Sequence, residues 1–268
     1  MKKLMLTLGF AALCGAVLPA HAAIESETVG YNTVTLQQGW NMLAVNFKQF
    51  GETSSISIQD LFPGETTGLT GGTGATGDNI QIYNPSTGSY TTYYLFYSPL
   101  PLFASKNYKW VDASANIATE TFTNGSVFWY RKRGEGAVTV SVSGLVSLEA
   151  KQDITIVPGW NMIASAFPAN WNPNSLGAEY WQNSGATGGT GATGDNLQIY
   201  NPSTGGYTTY YLFYSPLPLF ASKNWQWVDA SANVVSSTTE VMSVGKGAWY
   251  RHRGEGFTLT IPTPLSND

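Results

Sequence analysis

Very little in this chain is suited to covalent or metal chemistry. Its 268 residues include one cysteine and two histidines, and only 11% are charged. Cys14 sits in an apolar run near the start, so the rest of the chain has no thiol nucleophile, no disulfide and no cysteine-based metal site. Beyond residue 22 the single histidine is His252, which excludes a multi-histidine zinc cluster. There is no basic tract, so nucleic acid is not an expected partner. "GGTGATG" lacks the following Lys-Ser/Thr and the helix of a phosphate loop, and no dinucleotide fingerprint appears. No cofactor or metal is expected. The longest apolar run, Leu4–Leu18, is too short for a comfortable membrane span.

That run has a different reading. Lys2 and Lys3 precede it and "PAHA" follows it, which predicts a secretory signal peptide over residues 1–22, cut after Ala22. Leu13 directly before Cys14 is a poor match to a lipoprotein signal. The expected destination is therefore outside the cell, on its surface or in the periplasm. Setting aside Lys2 and Lys3 leaves 11 basic against 17 acidic residues, a net charge of about −6. Gly, Thr, Ser, Asn and Tyr are abundant, as suits a secreted β-protein that relies on hydroxyls and amides for solubility.

What the chain does have is a second copy of itself. "GWNMLAVNF" at Gly39–Phe47 returns as "GWNMIASAF" at Gly159–Phe167, and "FWYRKRGEG" at Phe128–Gly136 returns as "AWYRHRGEG" at Ala248–Gly256. Between them, Gly71–Ala118 matches Gly188–Val235 with only six differences in 48 positions: Ile80/Leu197, Ser89/Gly206, Tyr108/Trp225, Lys109/Gln226, Ile117/Val234 and Ala118/Val235. The flanks diverge far more. Shared function and recent duplication both account for that contrast. Copies of about 120 residues are a normal domain size. The boundaries expected are 23–146 and 147–268, and the short join between them predicts copies that abut rather than swing on a tether.

Strand signals dominate. "VTLQQGWNMLAVNF" is rich in β-branched and aromatic residues, with a candidate bulge at Gly39. "NIQIYN", "PSTG" and "YTTYYLFY" read as strand, turn, strand, because Pro85 presets the turn and Gly88 supplies a positive φ. "AVTVSVSG" alternates strictly, with Val138, Val140 and Val142 on one face. Aligned through "GEG", Phe257, Leu259 and Ile261 fall opposite Ala137, Thr139 and Ser141, so one copy needs a bulge or a different edge. "SIQDLF" predicts one helical turn in the first copy only. The fold expected is all-β: two tandem homologous antiparallel sandwiches or barrels about a pseudo-twofold axis.

"LQQGWNMLAVNF", "IQDLFPG", "IQIYNPSTGSYTTY" and "FWYRKRGEG" together resemble a repeat found in secreted and surface proteins of bacteria. That family has an early "GWN" strand, a Tyr/Trp-rich middle with an "NPSTG"-like turn, and a late "GxGFWxR"-like strand. Here the late motif reads "NGSVFWYRKR" and "VGKGAWYRHR", so the second copy keeps the glycine spacing better. The resemblance implies a secreted β-domain and carries no catalytic residue with it.

Recurring carboxylates are Asp78/Asp195, Asp112/Asp229 and Glu135/Glu255. If Asp78 and Asp195 converged on the pseudo-twofold axis they would form an aspartic-type hydrolytic dyad. However, "Thr-Gly-Asp-Asn" is not the Asp-Thr/Ser-Gly order of such enzymes, and a loop Asp capping backbone N–H groups is the plainer reading. Asp78 with Asp112 is a candidate glycosidase pair on similarly thin grounds. A single carboxylate per loop is a poor calcium set. His252, between Arg251 and Arg253, reads as a surface residue. On the "WYRKRGEG" strand Trp129, Arg131 and Arg133 share a face, which predicts a guanidinium lying on a ring and Glu135 paired with an arginine.

The dense aromatic block gives the strongest pointer to function. Tyr90, Tyr94, Tyr97 and Trp110, with Tyr207, Tyr211, Tyr214 and Trp227 in the second copy, are candidate ligand-binding residues beside Asn79 and Asn196. Planar rings stack on sugars, and neighbouring polar groups bind sugar hydroxyls. Alternation puts Tyr94 and Phe96 on one face and Tyr93, Leu95 and Tyr97 on the other. "SPLPLF" at Ser98–Phe103 is read as a sheet-edge cover or the interface between copies. The leading expectation is a non-catalytic binder of glycans, glycoproteins or surface polymers, or a surface-assembly protein. A carboxylate hydrolase and a purely structural envelope module stand as alternatives.

Overall fold

The computed structural model describes residues 28–51 and 55–264. The expected leader, its cleavage site and Cys14 lie outside the described residues. The first copy contains β1 (Val29–Leu36), β2 (Gly39–Ala44), β3 (Ser55–Ser57), β4 (Asn79–Asn84), β5 (Ser89–Leu95), β6 (Trp110–Val111), β7 (Thr121–Thr123), β8 (Val127–Lys132) and β9 (Val138–Leu145). The second contains β10 (Lys151–Ile156), β11 (Gly159–Ile163), β12 (Asn196–Asn201), β13 (Gly206–Phe213), β14 (Gln226–Val228), β15 (Ala248–His252) and β16 (Phe257–Pro262).

Each copy is built on a five-stranded antiparallel sheet, ordered β2-β8-β4-β5-β6 and β11-β15-β12-β13-β14. Two-stranded ribbons, β1-β9 and β10-β16, pack against them, and β3-β7 adds a third ribbon to the first copy. The all-β expectation holds. No sheet among the described residues closes on itself, so the barrel alternative falls.

Each copy has its own apolar core. In the first, Leu36, Leu43, Ile80, Leu95, Trp110, Phe128 and Tyr130 meet; in the second, Ile156, Ile163, Trp181, Leu197, Leu212, Trp227 and Tyr250. A third cluster joins the copies: Met42, Val127 and Trp129 pack with Ala164 and Trp249. This cluster exists because β2 and β8 are apolar on both faces. Alternation sends Leu43, Phe128 and Tyr130 inward and leaves Met42, Val127 and Trp129 on the outer face for the other copy.

The "GWN" motif is a corner rather than a bulge. Gly39 and Gly159 take φ of 91° and 94°, where a Cβ is strained, and the chain passes there from ribbon to sheet. The buried Asn41 clips the corner, accepting from Gln37 N at 2.9 Å and donating to Gln37 O at 2.8 Å. Asn161 does the same to Val157 at 2.9 and 2.8 Å. The Asn84–Gly88 hairpin forms as the sequence predicts, with Gly88 N donating to Asn84 O at 2.9 Å.

Two other expectations are corrected. The register slip between β9 and β16 needs no bulge. Val138 pairs with Leu36 and Phe257 with Ile156, so the first copy has one extra residue in the preceding loop, where Gly136 takes φ 67°. The first copy does have its helical turn, α1 (Ile58–Leu61), capped by Ser57. The second copy has one of its own as well, α2 (Ala178–Asn183), which buries Trp181.

Polar bonds also tie the copies together. The buried Asn46 donates to Ser165 O at 2.6 Å and accepts from Gly245 N at 2.6 Å, while Ala44 N donates to Gly245 O at 3.0 Å. Its counterpart in the second copy is Ala166, so this clamp is one-sided. Asn46→Ala strands a carbonyl and an N–H away from water. The expected cost is about 1–3 kcal/mol in chemical denaturation, and an unchanged midpoint would show the clamp to be idle.

Candidate functional site

The outer faces of β4, β5 and β8 and their counterparts hold the aromatic residues that the cores do not use. Where the copies meet, these rings form two matching series. Arg131 lies over Trp40 at 5.2 Å, Trp40 meets Trp129 at 5.9 Å, Trp129 meets Tyr200 at 4.9 Å, and Tyr200 meets Tyr207 at 5.2 Å. The second series runs Arg251, Trp160, Trp249, Tyr83, Tyr90 with separations of 5.2, 5.8, 4.8 and 5.3 Å. Each series crosses from one copy into the other, and their spacings are nearly identical.

The first series walls an open cleft of about 340 Å³, lined by Trp40, Gln81, Tyr90 and Trp129 of one copy and Tyr200, Gly205 and Tyr207 of the other. Tyr90 is 43% exposed and Tyr207 46%, so their rings are available at the rim. Both phenols titrate above the usual tyrosine range, chiefly because of burial; hydrogen bonding to Trp129 and Trp249 acts the other way. They stay neutral at physiological pH, and each hydroxyl can donate or accept.

The remaining expected ligand residues divide by position. Tyr94 and Tyr211 are half-buried on the same outer face as Tyr90 and Tyr207. Tyr97 and Tyr214 are exposed, but β5 ends at Leu95, so Tyr97 does not share the inward face of Tyr93 and Leu95. It stacks on Tyr108 at 5.3 Å, as Tyr214 does on Trp225 at 5.2 Å, beside the glycine loop. Trp110 and Trp227 are core residues with no face left for a ligand; Trp110 Nε1 donates to Phe62 O at 2.7 Å. Asn79 and Asn196 are buried in the outer face of the sheet.

Asp78 and Asp195 are fully buried, each bonded within its own copy, and they share no partner. Asp78 accepts from Thr70 N at 3.1 Å, Tyr130 OH at 2.8 Å and Arg133 N at 2.6 Å. Asp195 accepts from Thr187 N at 3.0 Å, Tyr250 OH at 2.7 Å, Arg253 N at 2.7 Å and His252 Nδ1 at 2.9 Å. The carboxylates hold Tyr130 and Tyr250 well above the usual range, with burial the larger cause. Asp112 and Asp229 are also bound locally. Bonds from Asn116 and Asn233 lower their carboxyls, and each closes its own loop turn.

His252 is a correction: it is buried, not on the surface. Its Nε2 faces the Glu255 carbonyl while Nδ1 faces Asp195. Lys132 fills the same place in the first copy, buried and donating to Gly134 O at 2.8 Å and Glu135 O at 3.2 Å. The expected pairing of Glu135 with an arginine does not form; Glu135 is exposed and only its carbonyl is engaged. "SPLPLF" is not the interface between copies, because Leu102 is 84% exposed.

Sequence reasoning missed Trp40, Gln81, Trp129, Tyr200 and Gly205 as cleft residues. The available signal was strand parity: Trp40 pairs with Arg131, and Gln81 with Trp129, on the outer face. Among the described residues no group of three or more His, Cys, Asp or Glu is placed to hold a metal, and no helix is long and apolar enough to cross a membrane. No family model matches the chain, nor does any curated protein or solved structure.

Proposed function

We propose that this is a secreted, non-catalytic glycan-binding protein of two tandem β-domains, with its binding surface in the aromatic cleft between them. One observation carries the reading. Both copies contribute rings to a single open cleft, with Tyr90 and Tyr207 at its rim and Gln81 within it. Ring faces stack on the C–H faces of sugars, and the amide and phenols reach the hydroxyls. A cleft of this shape suits a chain of sugars better than an enclosed small molecule. Export to the cell surface or periplasm, as the leader predicts, would bring it to such polymers.

The test is retention of the mature protein on immobilised polysaccharides. Tyr90→Ala with Tyr207→Ala is expected to weaken binding by roughly 2 kcal/mol, about thirtyfold. Both residues sit at the rim, so thermal unfolding should shift little. A double variant retained as well as the parent rules out the cleft.

A surface-assembly role has one observation in its favour. Leu100, Leu102, Leu217 and Leu219 are exposed on matching turns of the two copies. Large species in sedimentation that Leu102→Asp with Leu219→Asp disperses would establish it.

A further inference from the structure

The chain has four arginines, and all of them lie in the two "WYR" motifs: Arg131, Arg133, Arg251 and Arg253. In a protein of net negative charge this concentration calls for a local cause. Ion pairing is not that cause. The ion pairs among the described residues are Lys48–Glu149, Lys151–Asp153 and His252–Asp195, and none includes an arginine. The guanidinium of Arg133 is pushed down first by burial and then by the charge of Arg131, and its Nε is buried with no hydrogen-bond partner. Two like charges are held together, and the buried Asp78 carboxylate, which acts the other way on Arg133, forms no ion pair with either guanidinium.

The register shows what surrounds them. Across the outer face of the first sheet, Trp40 pairs with Arg131, Arg131 with Asn79, and Asn79 with Tyr94. The second sheet repeats the row as Trp160, Arg251, Asn196 and Tyr211. Side chains paired across strands are neighbours on one face. Asn79 is 2% exposed, and its Oδ1 has no hydrogen-bond partner; Asn196 Oδ1 is orphaned in the same way. Buried amide oxygens are ordinarily satisfied, and here the exception occurs twice, at the same point of the same row. Trp40 belongs both to this row and to the aromatic cleft.

We infer that each row is a subsite for an acidic sugar, and that the polymer in the cleft bears carboxylate groups, as a uronate-containing glycan does. This rests on the glycan-binding reading above. The guanidinium fork of Arg131 or Arg251, held over its tryptophan at 5.2 Å, matches a carboxylate bidentately. The asparagine oxygen accepts from a ring hydroxyl, which a bare anion does not offer. The first row adjoins the cleft through Trp40 and the second belongs to the matching series through Trp160, so a polymer long enough to engage both gains avidity without further contacts.

The experiment measures binding of the mature two-copy protein to polygalacturonate, dextran sulfate and neutral dextran. Polygalacturonate is expected to bind tightest, and more weakly as salt rises. Arg131→Gln with Arg251→Gln is expected to lose at least tenfold on polygalacturonate with no change on dextran, and Arg131→Lys with Arg251→Lys to recover only part. Equal binding of all three polymers, a preference for dextran sulfate, or arginine variants that bind polygalacturonate normally would overturn the inference. Binding to polygalacturonate that depends on Tyr90 and Tyr207 but not on the arginines would overturn it while leaving the glycan reading intact. Failure to bind any glycan would remove both. Competition on the unaltered protein gives an answer that does not depend on variant folding. Free oligogalacturonate should displace the polymer and its methyl ester should not, and equal displacement by the two refutes the carboxylate.

Discussion

Asp195→Ala is expected to destabilise the protein by about 3–5 kcal/mol, the range for breaking a buried ionic network by removing one partner. The carboxylate is fully buried and accepts from four donors, two of them backbone N–H groups that have no other acceptor in that loop. Without it, Tyr250, the N–H groups of Thr187 and Arg253, and the Nδ1 side of His252 are left unpaired where water does not reach. At 2–4 °C per kcal/mol, the loss corresponds to a drop in Tm of roughly 10 °C. Asp78→Ala should cost less, because Asp78 accepts from three donors and Lys132 is satisfied by carbonyls instead. Thermal or urea unfolding of both variants checks the order. A change under about 1 kcal/mol for Asp195→Ala would show that the loop does not depend on its carboxylate. His252→Lys, which copies the first repeat, should be tolerated far better.

This network gives the glycine runs their purpose. Gly72 N donates to Leu95 O at 3.0 Å and Tyr97 N to Gly72 O at 3.0 Å, so the loop is stitched to the end of β5. A Cβ on Gly77 would collide with the Leu95 carbonyl. Only a loop this close to the sheet can deliver Asp78 into the core, with Asp78 N bonded to Thr70 O at 2.7 Å. In the sequence, "TGDN" reads as a loop whose Asp caps backbone N–H groups, and Asp78 does accept from Thr70 N and Arg133 N; nothing local shows that the carboxylate turns into the core. His252 was more legible. It is two residues from Tyr250, so if Tyr250 faces the core, His252 does too, and the flanking arginines face out.

Much of the fold follows from local rules that the sequence displays: the hairpin at Pro85–Gly88, the alternating β9, the duplicated strands. The site is harder to read because it depends on which sheet face meets which. Tyr90, Tyr94 and Trp110 are equally aromatic on paper. Strand parity and pairing place the tyrosines on the outer face and Trp110 in the core. For the same reason, β2 reads as apolar on both faces without showing that one of them awaits the second copy. Strand period is visible in one chain segment; the partner of each face is set by contacts far apart in sequence.

Those contacts can be probed directly. Trp129→Ala and Trp249→Ala are each expected to cost about 3–5 kcal/mol, as for other buried tryptophans. Each ring is nearly buried between the copies, edge-on to a tyrosine of the opposite copy at 4.9 and 4.8 Å. The two share one cluster with Met42, Val127 and Ala164, so the double variant should fall short of the sum. The consequence differs from that of Asp195→Ala, because neither core includes these tryptophans. The double variant is expected to keep its β-sheet circular dichroism at low temperature, to scatter as a longer particle, and to unfold in two steps. It should also lose glycan retention along with Trp129, a cleft residue. A compact particle with a single transition near the parental midpoint would mean that the copies are held together by the Asn46 clamp and its neighbours, with the aromatic series contributing little.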